Sequence, residues 1–147
     1  MTTSERAPEP GNAWLEIVRR PTLDSFAQAF SKDCVLEAVV LATPLRGVRA
    51  VRRFFQATRA MYDDIAFLHE LHAERRVCLE WAGLFQGREI SGATILVSDA
   101  HGAILGIRLY HYPPDQQTAF ASDLTRRLVN VAEESSTATG VDNENDG

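Results

Sequence analysis

Apolar side chains recur at helical spacing in three stretches of the first part of the chain. Asn12 can cap the first helix, and Pro21 ends it because proline cannot continue the backbone hydrogen-bond ladder. Thr22 can cap a second helix, whose apolar stripe runs from Leu23 to Phe30. The third stretch predicts a long amphipathic helix. Its apolar face contains Val48, Val51, Phe54, Phe55, Thr58 and Met61.

Strand patterns lie on both sides of this long helix. The segment 34–41 is apolar and rich in β-branched residues, which predicts a strand buried on most of both faces. The segment 44–47 breaks that strand. After the helix the apolar period falls to two, and Gly87 and Gly102 are available for turns with positive φ. The pattern predicts an antiparallel meander over residues 66–71, 77–85, 89–98 and 103–112.

The hydrophobic pattern changes twice towards the end of the chain. Pro113 stops the last strand, and Asp115 can cap a closing helix with Phe120 and Leu124 on its apolar side. Beyond Glu133 the composition becomes too polar to bury a core. We therefore predict an α+β class with helices on one face of the sheet. The predicted divisions are a flexible N-terminus over 1–11, one domain over 12–132 and a disordered polar tail over 133–147.

The composition of the chain argues against several kinds of partner. Fifteen Lys and Arg against twenty Asp and Glu give a net charge of -5, so we expect no nucleic-acid partner. The apolar runs are far shorter than the roughly 20 residues of a spanning helix, and no signal peptide is visible, so we expect no membrane partner. Cys34 and Cys78 lie in strand patterns, which favours free thiols in a reducing cytoplasm. A disulfide stays open because the sequence gives no distance between them.

Several short segments then give the chain a family resemblance. They are Leu23-Asp24, Phe30-Ser31-Lys32-Asp33, the strand Val35 to Val39, Pro44-Leu45-Arg46-Gly47, Phe54-Phe55, Gln86-Gly87-Arg88 and Gly102 to Tyr110. With the elements in this order, residues 12 to 112 resemble the superfamily that contains ketosteroid isomerases, polyketide cyclases and nuclear transport factor 2.

The resemblance implies a cone: a strongly curved, mixed or antiparallel sheet wrapped around the N-terminal helices, with a deep pocket between them. It also implies a homodimer built on the outer face of the sheet, the side on which Tyr110 and Tyr112 should lie. Strand alternation places the intervening residues inside the cone. The predicted ligand-binding residues are Trp14, Ala38, Phe54, Phe55, Trp81, Thr94, Leu96 and Leu109.

The acids and bases of the related enzymes are missing. An ungapped match to the steroid isomerases places Ala38 at the catalytic base, Trp14 at the tyrosine and Thr94 at the protonated acid. The related cyclases and epoxide hydrolases carry an aspartate on the last strand, where this chain has Leu109. Loss of a general base removes about 10²- to 10⁴-fold in rate. Steroid isomerisation by the family's mechanism is therefore not expected.

His111 is the inward-facing titratable group that alternation leaves in the pocket. A histidine with a pKa of about 6.5 can act as acid or base near neutral pH, so His111 is the catalytic candidate. A hydrogen-bonded structural histidine is the other interpretation. No metal and no other cofactor is expected, because the cysteines and histidines lack a ligand spacing. His69 and His72, three residues apart on a strand, point to opposite faces.

Three functions stay open at this point. The first is binding of a hydrophobic, cyclic or polyketide-like small molecule in the cone, with isomerase, cyclase or dehydratase chemistry if the protein is an enzyme. The second is a non-catalytic homodimer that serves as a binding or scaffold module, and the third is a protein-interaction module that uses the outer sheet face. Whether the cone is open or filled would separate them, because Phe54, Phe55 and Trp81 could pack across it.

Overall fold

The computed structural model describes residues 9–138, and the side chains of residues 9–129. Residues 1–8 of the N-terminus predicted to be flexible over 1–11, and residues 139–147 of the tail predicted over 133–147, lie outside the described residues. The helices are α1 (Asn12–Val18), α2 (Leu23–Ala27), α3 (Val48–Met61) and α4 (Pro114–Ala138). The strands are β1 (Phe30–Ala38), β2 (Leu45–Arg46), β3 (Asp64–Ala73), β4 (Arg76–Phe85), β5 (Arg88–Ser98) and β6 (Ile104–Tyr112).

The strands form one mixed sheet in the order β2-β1-β6-β5-β4-β3. The meander from β3 to β6 is antiparallel, as the sequence predicts, and β1 joins it in parallel beside β6. Register shifts interrupt β3 between Phe67 and His69, and the β5–β6 pair between Val97 and Ser98. Such irregularities bend a strand and increase its twist. The α+β class with a curved, open sheet is therefore confirmed.

Helices α1 and α2 follow their sequence signals closely, with two corrections. Gly11 rather than Asn12 holds the cap position of α1, with φ of 75°. The Thr22 hydroxyl caps α2 by accepting from the Ser25 backbone N–H at 3.1 Å. The prediction of Phe30 on the α2 stripe is wrong, since Phe30 opens β1 and pairs with Ile104. Burial there against Phe26, at a centroid separation of 4.6 Å, outweighs local helical spacing.

Helix α3 has the apolar face that the sequence predicts, and it packs against β1, α2 and α4. The segment before it contains a strand that the pattern did not show. Leu45 and Arg46 form β2 and pair with Leu36 and Val35. Two residues are too few for a period, so this strand depends on the edge offered by β1.

Strand alternation separates the two faces of the sheet as predicted. On β6, Ile107, Leu109 and His111 are buried, whereas Tyr110 and Tyr112 are exposed. Strand β1 begins four residues before the predicted start and ends at Ala38, three residues before the predicted end, but the buried Leu36 and Val40 keep the predicted parity. The inner face of the sheet is therefore the face that the helices cover.

Helix α4 closes the domain across the sheet. Phe120 and Leu124 are fully buried, and the Gln116 amide donates to the backbone oxygens of Phe85 and Arg88 at 3.1 Å each. The helix extends to Ala138, six residues into the segment 133–147.

Two further properties concern the described residues. None of the helices between residues 9 and 138 is long and apolar enough to cross a membrane. Cys34 and Cys78 are free thiols. Burial raises the pKa of the Cys34 thiol, so it behaves as a small hydrophobic side chain in the core.

Candidate functional site

A cavity of about 160 Å³ lies between α1 and α3 on one side and the inner face of the sheet on the other. Its lining is mostly apolar, as in small-molecule sites generally. The side chains of Phe54, Phe55 and Trp81 do not close it. All but two of the residues predicted to form the site are present in the lining: Trp14, Phe54, Phe55, Trp81, Thr94, Leu109 and His111.

The two predicted residues that do not line this cavity are Ala38 and Leu96. Ala38 is the last residue of β1 and lines a shallow depression beside Glu37 and Tyr110 instead. Leu96 is 7% exposed and pairs with Ile107 in the close-packed part of the sheet. Alternation placed both on the inner face, but it could not tell which part of that face the helices leave uncovered.

The inner face consists of rows of side chains that run across the strands. One row, which we call the cavity row, contains Phe67, Trp81, Gly92 and His111 on β3 to β6. A glycine is required in this row, because a Cβ at Gly92 would lie 2.5 Å from the indole of Trp81 and 1.9 Å from the Tyr110 carbonyl oxygen. Because Gly92 has no side chain, the Trp81 ring can occupy the space beside it.

Aromatic rings from the helices form the opposite wall. Trp14 of α1 packs edge-on against Phe55 of α3, with ring centroids 5.2 Å apart. The start of α1 is held against β3, because the Gly11 backbone N–H donates to Glu70 Oε1 at 2.8 Å. This hydrogen bond lowers the pKa of the Glu70 carboxyl. The contact fixes Trp14 over the cavity.

The polar centre of the site is a hydrogen-bonded pair, Tyr62 and His111. The Tyr62 hydroxyl lies 2.9 Å from His111 Nε2. His111 is 6% exposed and packs edge-on against Trp81 at 5.2 Å, with Phe120 at 4.8 Å. Tyr62 contacts the same two rings. The pair is therefore surrounded by aromatic carbon.

Burial sets the charge state of this pair. It lowers the pKa of His111 to about 4, because the loss of hydration disfavours the charged imidazolium. Burial also raises the pKa of Tyr62 above its usual range. Both groups are neutral at pH 7 as a result. The expectation of a histidine that titrates near neutral pH does not fit this environment.

Each tautomer of His111 leaves a hydrogen-bonding group unused. Nδ1 is buried and has no partner among the described residues. If Tyr62 donates to Nε2, the proton is on Nδ1 and remains a free donor. If Nε2 donates to Tyr62, Nδ1 becomes a free acceptor and the Tyr62 proton a free donor. Tyr62 and His111 both line the cavity, so the pair is a polar group that a bound molecule would meet there.

Several residues that line the cavity are not among the predicted site residues, and Tyr62 is the most important of them. It lies four residues after Thr58, so the apolar face of α3 continues onto it. Phe67 and Ile65 alternate on β3 and could have been found by the same period. Arg19 and Arg59, at the ends of α1 and α3, also line the cavity. No pattern in the sequence distinguishes them from other surface arginines.

Groups that would hold a metal ion are absent from the described residues. No cluster of three or more His, Cys, Asp or Glu side chains occurs between residues 9 and 129. His69 and His72 lie at the surface, where they pair with Glu80 and Glu70. Polar side chains in the cavity lining include those of Arg19, Thr58, Arg59, Tyr62, Thr94 and His111.

No protein-family model matches the sequence, and no curated protein matches it. Solved structures do match the fold. A steroid delta-isomerase from Pseudomonas aeruginosa has a TM-score of 0.73 at 21% identity, over 82% of this chain and 90% of that one. A SnoaL-like family protein from Agrobacterium tumefaciens has a TM-score of 0.54 at 11% identity, over 70% and 94%.

A third similar structure is an NTF2-like protein of unknown function from Cytophaga hutchinsonii, with a TM-score of 0.52 at 12% identity, over 76% of this chain and 97% of that one. At such identities the likeness concerns backbone architecture and not activity. It agrees with the sheet order, the parallel β1–β6 pair and the helices on the inner face. The chain therefore has the cone-shaped α+β fold of the nuclear transport factor 2-like proteins, which confirms the resemblance inferred from its sequence.

Proposed function

We propose that this protein binds a hydrophobic, ring-containing small molecule in the cone, and that a carbonyl or hydroxyl group of this molecule hydrogen-bonds to the Tyr62 and His111 pair. The observation that carries the proposal is this hydrogen-bonded pair in the lining of an aromatic cavity, where His111 Nδ1 has no partner among the described residues. An unpaired buried polar group costs about 1–3 kcal/mol, and a ligand atom that pairs with it recovers part of that cost.

The binding test uses isothermal calorimetry with monocyclic phenols and ring ketones. Tyr62→Phe and His111→Gln each alter one end of the pair, and Tyr112→Phe and His101→Gln are matched controls at exposed positions. Loss of one hydrogen bond should weaken binding about tenfold in the first two variants and leave the controls unchanged. Equal affinity in all five proteins would contradict the role of the pair, and no binding at all would contradict the pocket.

If the bound molecule reacts, we propose isomerase- or cyclase-type chemistry next to a carbonyl group. A steroid delta-isomerase shares the fold, although here Ala38 and Leu109 stand where related enzymes carry acids. The hydrogen bond between Tyr62 and His111 leaves one neutral donor free, Tyr62 O–H or His111 Nδ1–H according to the tautomer. This donor could bind the carbonyl oxygen as negative charge develops on it. Alternatively, Nδ1 could act as the base, because a histidine of pKa about 4 is about as basic as an aspartate.

Hydrogen exchange into a ring ketone measures this chemistry directly. Wild-type protein in deuterium oxide should incorporate deuterium at the carbon next to the carbonyl, followed by nuclear magnetic resonance. Removal of one oxyanion donor commonly costs about 10²-fold, so Tyr62→Phe should slow the exchange by that order. A ketone that binds without exchange in wild-type protein would restrict the function to binding.

A second candidate, a non-catalytic homodimeric module, is favoured by the outer sheet face. Val39, Leu105, Tyr110 and Tyr112 are exposed there, and aromatic side chains are common at interfaces. Light scattering should give the mass of a dimer that Tyr110→Glu combined with Tyr112→Glu converts to a monomer. Val129→Glu, an exposed apolar residue of α4, is the matched control. A monomeric wild-type protein would contradict this candidate.

A further inference from the structure

Two arginines border the cavity at the ends of separate helices. Arg19 is the C-cap of α1, and Arg59 lies in the last turn of α3. Both side chains are exposed, whereas His111 at the other part of the lining is buried. The lining therefore runs from a buried neutral pair to a solvent-exposed cationic rim.

The two guanidinium groups have no carboxylate partner among the described residues. Among the described residues neither Arg19 nor Arg59 forms an ion pair or hydrogen bond, and no Asp or Glu is part of the cavity lining. By contrast, Arg88, Arg108 and Arg126 each pair with a carboxylate. Arginine near a helix C-terminus complements the macrodipole, which explains a cation at either position. The macrodipole does not explain why two arginines without a carboxylate partner among the described residues line the same apolar cavity, in a chain whose net charge is -5.

The size of the cavity limits the ligand. Its volume of about 160 Å³ is close to that of an engineered apolar cavity of about 150 Å³ that holds benzene. One ring fits such a space, and a fused four-ring body does not. A substituent on that ring would reach the exposed rim, where a guanidinium binds carboxylates with charge-assisted hydrogen bonds.

We propose that the ligand is an amphipathic anion: a single ring with a hydroxyl or carbonyl group that meets Tyr62 and His111, and a carboxylate that meets Arg19 and Arg59. This inference rests on the proposed function and specifies its ligand class. The apolar walls hold the ring, the buried pair orients it, and the arginines select the charge.

Three ring compounds of nearly equal size test the proposal by calorimetry. They are para-hydroxyphenylacetate, its uncharged amide and para-ethylphenol, which share the phenol and differ in the group at the rim. The double variant Arg19→Gln, Arg59→Gln removes the rim cations. The double variant Arg46→Gln, Arg53→Gln changes the net charge equally at positions outside the lining.

The acid should bind wild-type protein about tenfold more tightly than the amide, and this preference should weaken as salt rises. The rim variant should lose the preference while it still binds para-ethylphenol, and the control variant should keep it. Equal binding of all three compounds overturns the anion proposal and leaves the pocket proposal standing. A preference that survives in the rim variant also overturns it. Failure of all three to bind overturns both proposals.

Discussion

The inner face of the sheet has a packed end and a cavity end, although both derive from the same alternation of side chains. At the packed end, Leu36, Ile107 and Leu96 pair across β1, β6 and β5, and all are buried in the core. At the cavity end, Phe67, Trp81 and His111 of the cavity row border open volume. Strand alternation determines which side chains lie on the inner face of the sheet. The helix side chains above each of these residues determine whether it packs in the core or borders the cavity.

The difference lies in the helix above each end. Val51, in the first half of α3, is fully buried and does not reach the cavity lining. Phe55, Thr58 and Tyr62, in or just after the second half, do line it. Helix α3 thus packs closely against one end of the inner face and covers a cavity at the other end.

Truncation of a buried side chain should have the largest effect on the free energy of unfolding, and this effect should differ between the two ends of the inner face. Ile107→Ala should cost about 4 kcal/mol of unfolding free energy, because it opens a void in a close-packed region. Leu109→Ala should cost about 2 kcal/mol, because this side chain already borders a cavity and loses fewer contacts. Urea unfolding measures both. Equal losses would show that the two ends are equally well packed.

Replacement of a glycine by alanine should also affect stability differently at the two ends, with a smaller maximum loss. Gly92→Ala should cost about 3 kcal/mol, because the new methyl group meets the Tyr110 carbonyl oxygen and the Trp81 ring. Gly106→Ala is the control, since its Cβ would lie 3.8 Å from the nearest atom, in Val97, and the cost should stay within about 0.5 kcal/mol. A tryptophan fluorescence shift should accompany the first change only. Unchanged stability of Gly92→Ala would argue against the close packing of the cavity row.

The smallest of the three effects is a pH dependence that comes from the cavity end. Unfolded chains bind a proton at His111 below pH of about 6.5, whereas the folded protein holds it neutral down to about 4. The unfolded state therefore binds more protons in this range, and stability falls as the pH drops through it. Between about pH 7.5 and about pH 4.5 the loss should be about 2.5 kcal/mol.

The variant His111→Gln isolates this contribution. It should lack the loss, while His101→Gln, at an exposed turn position, should retain it. Carboxyl groups with lowered pKa, such as those of Glu70 and Asp115, add to acid destabilisation in every variant and cancel in the comparison. Parallel pH profiles for wild-type protein and His111→Gln would mean that burial does not depress the pKa of His111.

The predicted site shows where sequence reasoning works and where it stops. Trp81, Thr94 and His111 were placed inward by alternation alone, because a strand leaves only two directions for a side chain. Ala38 and Leu96 were placed inward by the same rule, yet neither lines the cavity. Tyr62 was missed because it follows the last turn of α3, where the chain leaves the helix for β3.

The amino-acid pattern alone predicts the order of every element except β2, the α+β class, the meander, the inner faces of β1, β4, β5 and β6, and the chemical groups available to the cone. These follow from short-range periodicity, which a single segment carries. Tertiary contacts place Phe30 in β1, Tyr62 beside His111 and two arginines in the lining of one cavity, and they keep this histidine neutral. Those features depend on contacts between distant segments and on the water that packing removes, and no local pattern encodes either.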